Sequence, residues 1–378
     1  MFLIKLFFRK CALAVIRAVN KWYREYVKKD VSFILSKEKP NILIINPQGY
    51  GDTVVMTPFL KSIKIKWPHA VLRVVVSQRG YEVLKNCPYI DTLLVYTPSF
   101  FQYRQFITSL RAFKIDLCFD LQLSLTNMRR WLLPAITNSL YRVYFKRGGF
   151  EGPLPDLEVE YYLQHMIDCY ISLGTWFSPE HIKQTSEVFF SAEDAAWAEQ
   201  KVKTEKKGVI VLHAYSENPN HLWKVKSWAK VARTFAPQYK VILTTSKEGF
   251  SYSKECVGEM NGSIELVIPE TINQLAALIA KSALLVSVDT TTVHIATATM
   301  TPSVSVYGPT ITKAWGPYNR NQIALQKDKV CQGRCREYRG EAIFSHIERC
   351  PEYGDNCINY ISEEEVLAAA HYLLDQRQ

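Results

Sequence analysis

The stretch Leu284-Leu285-Val286-Ser287-Val288-Asp289-Thr290-Thr291-Thr292-Val293-His294-Ile295-Ala296-Thr297-Ala298 decides the fold. Its first five residues are apolar apart from one serine and read as a strand buried on both faces of a parallel sheet. The run stops at an acidic residue and three threonines. A helical pattern with small residues at Ala296 and Ala298 then begins. A strand that ends in Asp-Thr-Thr-Thr and opens a helix leaves backbone N–H groups without intrahelical partners. The same end is the positive pole of the helix dipole, so the turn suits an anion. An ordinary capped turn, with Asp289, Thr290 or Thr291 as the cap, would use the same residues. Residues 301–310 then read as a second buried strand ending in Gly308-Pro309-Thr310. Two neighbouring strand ends converge, which is where open α/β sheets place ligands.

Working outward, the pattern repeats. Upstream lie a helical stretch from Ile272 to Lys281 and apolar strands at 209–213 and 240–244, the latter followed by Thr245-Ser246-Lys247-Glu248. Nearer the start, Pro40 introduces Asn41-Ile42-Leu43-Ile44-Ile45-Asn46, which ends in Pro47-Gln48-Gly49-Tyr50-Gly51-Asp52. Gly49 and Gly51 suggest a tight turn or a close ligand, and Asp52 stands at a helix start. The pattern falls short of a dinucleotide fingerprint. Strands follow at 71–76, 92–96 and 115–121, with a helix near 81–85. Gln122 and Ser124 lie at the carboxyl end of the last of these strands, facing the same crevice as Asp52 in this topology. Residues 148–156 read as a loop before a helix at about 160–173, and 178–191 as the passage between domains. Alternating strands and helices mean parallel sheets with crossover helices.

The chain has 378 residues, enough for two domains. Apolar content of 48% and charged content of 22% fit a globular protein with a full core. A net charge of +10 favours anionic partners. No nucleic-acid-binding signature is present, and no apolar run is long enough to span a bilayer. Residues 1–30 mix Phe2, Leu3, Ile4, Leu6, Phe7 and Phe8 with Lys5, Arg9, Lys10, Arg17, Lys21 and Arg24. Charges interrupt the apolar run, so a helix lying in a membrane interface fits better than a signal peptide.

Gly51-Asp52, Asp120-Leu121-Gln122, His213-Ala214, the segment from Trp223 to Trp228, Ser287-Val288-Asp289-Thr290 with His294, and Tyr307-Gly308-Pro309-Thr310 occur in one order. Together they resemble glycosyltransferase family 9, the ADP-heptose:lipopolysaccharide heptosyltransferases and their relatives, over roughly residues 41–374. The resemblance implies a GT-B fold, with two Rossmann-like domains whose parallel sheets face one cleft. The expected division is a basic amphipathic helical segment (1–38), an acceptor domain (39–185), a nucleotide-sugar domain (186–361) and a C-terminal helix (362–378) that packs back on the acceptor domain.

Inverting glycosyl transfer needs a base for the acceptor hydroxyl and positive charge for the leaving diphosphate. The resemblance assigns the base to Asp52, with Gly49, Gly51, Gln122 and Ser124 lining the acceptor side. It assigns the diphosphate to Thr290, Thr291 and Thr292, sugar hydroxyls to Asp289 with His294 beside it, the nucleotide ribose to Glu248, and further nucleotide-sugar contacts to His213, Gly308 and Thr310. Two positions depart from the family pattern. Thr291 stands where the family has glycine, and a β-branched residue disfavours positive φ. His221 stands where the family has lysine, with Lys224 close by to share the role.

Cys331, Cys335, Cys350 and Cys357 cluster late, within 331–357. Four thiolates suit a structural Zn or Fe; a disulfide pair or free thiols are the alternatives. No cofactor is expected in catalysis. The expected function is transfer of heptose from ADP-heptose to a lipid-linked saccharide of the lipopolysaccharide core, by a cytoplasmic enzyme held peripherally on the anionic inner-membrane surface, with no nucleic-acid partner. Two rivals are a protein O-heptosyltransferase of the autotransporter-modifying type and a non-catalytic nucleotide-sugar-binding or scaffold protein.

Overall fold

The structure, a computed structural model, describes residues 18, 22, 30–96, 100–122, 128–146, 155–160, 164–175, 177, 185–260, 264–327 and 357–376. The chain divides into two compact units, Met1–Leu163 with Ile167–Lys183, and Gln164–Met166 with Gln184–Gln378.

The first unit is built on β1 (Asn41–Asn46), β2 (Val71–Val76), β3 (Thr92–Val95), β4 (Ile115–Asp120), β5 (Ser139–Lys146) and β6 (Leu157–Glu160). Its sheet order is β3-β2-β1-β4-β5-β6, every pairing parallel. The strand order reverses between β1 and β4, so the open ligand-binding crevice of such a sheet falls at their carboxyl ends. Those ends carry Pro47–Asp52 and Leu121-Gln122.

The second unit repeats the plan with β7 (Val209–His213), β8 (Lys240–Thr244), β9 (Glu265–Val267), β10 (Leu284–Val288), β11 (Ser303–Tyr307) and β12 (Gln322–Gln326). Its order is β12-β11-β10-β7-β8-β9, again all parallel, with the reversal between β7 and β10. Alternation along the strands divides its core in two. Val211, Ile242 and Leu285 face the helices Ala192–Val202 and Ile272–Ala280. Leu212, Leu243 and Val286 face the other way, toward Trp223, Trp228 and the helix Val225–Phe235.

Two expectations need correction. Residues 157–160 form the edge strand β6, and the helix after them is Met166–Ser172 rather than one starting near residue 160. The sequence Leu-Glu-Val-Glu alternates, which suits a half-buried strand, and its charges suit an edge. The C-terminal helix Glu363–Asp375 belongs to the core of the second unit: Val366, Ala370, Leu373 and Leu374 pack with Trp223, Val304 and Phe235. Its entry is fixed by a capping box of Ser362 and Glu365, and Trp223 Nε1 donates to the Ile361 carbonyl at 3.1 Å. A helix tied this way buries its apolar stripe where the nearest apolar surface lies, on its own domain.

Of the basic amphipathic segment, only Ala18 and Trp22 precede residue 30 among the described residues; both are helical and exposed. The membrane-facing residues singled out there lie outside the described residues, as do Ser124, Cys331, Cys335 and Cys350. Among the described residues no helix is long and apolar enough to cross a membrane.

Candidate active site

In the first unit, β1 delivers the chain to Gly49, the N-cap of the short helix Tyr50–Val55. Asp52 is the third residue of that helix, and Gly49 N–H donates to its Oδ2 at 3.3 Å. The carboxylate therefore accepts the N-cap backbone N–H, the half of a capping box that glycine allows, and a carboxylate has acceptor capacity beyond one such bond. Gly49 has φ −78°, which any residue adopts, so the turn does not demand glycine. What glycine does is spatial. A Cβ there would lie 3.4 Å from Asp52 Oδ2, against the carboxylate. Thr53 Oγ1 donates to the Gly49 carbonyl at 2.8 Å and Asn46 Nδ2 to the Asp52 carbonyl at 3.4 Å, which ties the turn to β1. Gln122, expected at the same strand ends, is buried. Its amide Nε2–H and its backbone N–H both donate to Asp120 Oδ1 at 3.0 Å.

In the second unit the Asp289–Thr292 turn has the expected form. Thr290 is the N-cap of the nine-residue helix Thr291–Thr299, and its Oγ1 accepts from Thr292 N–H. Among the described non-glycine residues only Met300 has positive φ, so Thr291 sits in ordinary helical space and the exchange for glycine costs no backbone strain. The hydroxyls form an internal chain. Ser287 Oγ donates to the Val288 carbonyl at 2.7 Å, so Thr292 donates to Ser287 at 2.5 Å and Thr290 donates to Thr292 at 2.7 Å. The hydroxyls of Thr290 and Thr292 are thereby spent on building the turn. The donors left for a ligand are backbone: the N–H groups of Thr290 and Thr291 meet no acceptor among the described residues.

Asp289 and His221 meet beside this turn. His221 closes the 3-10 turn Pro219–His221, and its Nδ1 lies 3.1 Å from the Asp289 carbonyl and 3.5 Å from Asp289 Oδ2. Two acceptors at Nδ1 place the proton there. Nε2 then accepts from Asn218 Nδ2 at 3.2 Å. Thr310 Oγ1 donates to Asp289 Oδ2. Asp289, expected to hold sugar hydroxyls, thus also aligns His221 and Thr310. Gly308 is required here: a Cβ would stand 2.4 Å from the Asn220 carbonyl oxygen. Asn218 and Asn220, which the motifs do not include, carry no sequence signal beyond a turn-rich Glu-Asn-Pro-Asn run.

His213 ends β7 and is buried, with Nδ1 2.9 Å from Thr244 Oγ1. Thr244 donates to the Leu212 carbonyl, so it accepts from His213. Burial pushes the His213 pKa down to about 4, so the ring is neutral. His294 is buried in the helix Thr291–Thr299 against Trp315, ring centroids 6.0 Å apart. Burial first, and the charge of His165 second, push its pKa down to about 3. It is a neutral packing residue as placed here. Glu248 is exposed beside Gly249, where a Cβ would strike the Tyr215 ring at 2.4 Å. Lys224 is exposed at the start of the helix Val225–Phe235, one residue from buried Trp223. Cys357, the described member of the cysteine cluster, is half-buried. Among the described residues no group of three or more His, Cys, Asp or Glu side chains could hold a metal ion.

Comparison with known proteins bears on the family and the fold. The family model of "Glycosyltransferase family 9 (heptosyltransferase)" matches residues 156–341. "Lipopolysaccharide heptosyltransferase 3" of Escherichia coli is 25% identical over 304 residues, covering 72% of this chain and 85% of that one. Among solved structures, a glycosyl transferase family 9 protein from Veillonella parvula DSM 2008 superposes with TM-score 0.75 at 20% identity, covering 89% of this chain and 98% of that one. The E. coli ADP-heptose lps heptosyltransferase II superposes with TM-score 0.71 at 20% identity, covering 89% and 99%.

Proposed function

From the match to the glycosyltransferase family 9 model, we propose that the chain is an enzyme of that family and transfers heptose from ADP-heptose to a lipopolysaccharide core acceptor, with inversion at the anomeric carbon. The observation that carries this reading is the pair of backbone N–H groups at Thr290 and Thr291 that meet no acceptor among the described residues. They sit at the positive end of a nine-residue helix, at the switch point of the second sheet. A nucleoside diphosphate leaving group is what such a site stabilises. Charge that develops on the departing phosphate meets fixed donors at no reorganisation cost.

In this reading Asp52 takes the proton of the acceptor hydroxyl as its oxygen attacks the anomeric carbon and the bond to the diphosphate breaks. His221 and Lys224 stand in for the lysine of the family pattern near the leaving group, and Asp289 orients His221. Glu248 and His213 belong to the nucleotide side; Gly49, Gly51 and Gln122 belong to the acceptor side. The basic N-terminal segment holds the enzyme at an anionic membrane surface, where a lipid-linked acceptor lies. A lipid-linked core rather than a protein is favoured as acceptor by the likeness to lipopolysaccharide heptosyltransferase 3. The four cysteines, whose thiols suit tetrahedral Zn or Fe, form a structural centre outside the chemistry. Its check is metal content: Cys357→Ser loses the bound metal while wild type retains it.

A panel of ADP, UDP and GDP in a thermal-shift titration tests the donor assignment, because a ligand that binds only the folded state raises the melting temperature. ADP is expected to raise it. A shift with UDP or GDP and none with ADP would overturn the assignment.

A further inference from the structure

The last residue of β12, Gln326, is outside every motif of the sequence, yet it reaches into the loop that follows β11. Its Nε2 donates to the Gly308 carbonyl at 2.8 Å and to the Thr310 carbonyl at 2.7 Å. Its Oε1 accepts from Thr312 Oγ1 at 3.1 Å. Two carbonyls on one side and a hydroxyl donor on the other allow a single orientation of the amide. All three side-chain bonds go to residues 308–312, the loop after β11 and the first residue of the helix Thr312–Trp315.

That loop has no slack elsewhere. Gly308 lies against the Asn220 carbonyl, where not even a methyl group fits, so the position of Gly308 is also the position of the turn that carries His221. Two residues on, Thr310 donates to the carboxylate of Asp289, whose Oδ2 also lies 3.5 Å from His221 Nδ1. Asp289 in turn precedes the two N–H groups of the anion site.

We propose that Gln326 is a positioning residue of the donor site: by clamping the carbonyls of Gly308 and Thr310 it fixes Asp289 and His221 for the nucleotide-sugar. It touches no reacting atom. This inference rests on the assignment of the Asp289–Thr292 turn to the donor. Glutamate at 326 keeps the shape of the side chain but replaces both N–H donors by acceptors, set against two carbonyls. The loop must then give way, and the alignment of Asp289 goes with it.

The experiment compares wild type, Gln326→Glu and Thr312→Val by calorimetry with ADP, by steady-state kinetics over donor concentration and by thermal melting. Gln326→Glu is expected to weaken ADP binding and raise the donor KM by about tenfold, as loss of two hydrogen bonds implies, and to leave the acceptor KM unchanged. Thr312→Val, which removes only the bond to Oε1, should shift both in the same direction by a few-fold. If Gln326→Glu lowers the melting temperature while ADP affinity and donor KM stay at wild-type values, the residue is merely structural and the proposal falls. If Gln326→Glu does not fold, Thr312→Val decides: unchanged ADP affinity and donor KM overturn the proposal. Failure of wild type to bind ADP at all would strike the donor assignment instead, which separates the two.

Discussion

Gly308 faces the carbonyl oxygen of Asn220 so closely that a Cβ would stand 2.4 Å from it. The loop after β11 and the turn after β7 are therefore one packed unit, and His221 is held by both. Gly308→Ala should cost about 1–3 kcal/mol by overpacking. It should also weaken ADP binding by about tenfold or more, because each 1.4 kcal/mol of misplacement is a factor of ten. Thermal melting and calorimetry read the two effects; a variant that binds ADP as wild type does would show that His221 and Asp289 need not be held there.

Thr291 offers a clean deletion of one N–H. It is the first residue of its helix, a position proline tolerates, and Thr290 before it is extended at φ −150° and ψ −177°, as a pre-proline residue prefers. Thr291→Pro should fold normally and lose about 1.5–3 kcal/mol of ADP binding, the contribution of a hydrogen bond to a charged group. Thr291→Gly keeps the N–H and should bind ADP as wild type does. Equal binding by the proline variant would remove Thr291 from the anion site.

Met300 is left-handed, at φ 56° and ψ 24°, where the helix Thr291–Thr299 ends. Thr301 N–H bonds back to the Ala296 carbonyl in the usual left-handed helix terminus, which favours glycine. Met300 is 55% exposed, so little packing is lost without its side chain. Met300→Gly should raise stability by about 0.5–1 kcal/mol in urea denaturation, with unchanged turnover. A loss of stability would mean that its contact with Asn319 Nδ2 matters more than the backbone does.

The second unit should lose stability in mild acid. Burial depresses His213 to about 4 and His294 to about 3, against about 6.5 in the unfolded chain. As pH falls below about 6.5 the unfolded chain takes up protons that the folded state refuses. Stability is thus whole above that pH and is lost on the way down to the two folded values. Each histidine contributes a slope of up to about 1.4 kcal/mol per pH unit within that window. Between about pH 6.5 and 5.5 carboxylates hardly titrate, so denaturation there isolates the histidines. His213→Asn should flatten the slope; an identical slope would place the titration elsewhere.

The strands that position the site were legible because both faces of each are buried. Asn41-Ile42-Leu43-Ile44-Ile45-Asn46 and Leu284-Leu285-Val286-Ser287-Val288 are nearly unbroken apolar runs, and the pleat then divides the side chains of the second sheet between two cores. Of the edge strands, β3 was read at 92–96, whereas β6 and β12 were not legible. β6 reads Leu-Glu-Val-Glu and β12 ends in glutamine, because an edge strand is half-wet and carries polar residues. The helix at 363–375 was visible from its period, but periodicity names the apolar stripe and not the surface it meets. The turn at 289–292 was visible as a strand running into a helix. The bonds of Asn218 and Gln326 were not, since a lone amide has no pattern until the fold brings its partners to it.

The most direct measurement is single-turnover heptose transfer from ADP-heptose to extracted lipopolysaccharide core acceptors, with wild type and Asp52→Asn side by side. The asparagine keeps the shape at the helix start and removes the base. The account predicts a heptosylated core and ADP from wild type. For Asp52→Asn it predicts unchanged ADP affinity and a rate lower by about 100- to 10,000-fold. Transfer by Asp52→Asn at the wild-type rate, or ADP-heptose left intact by wild type, would contradict it.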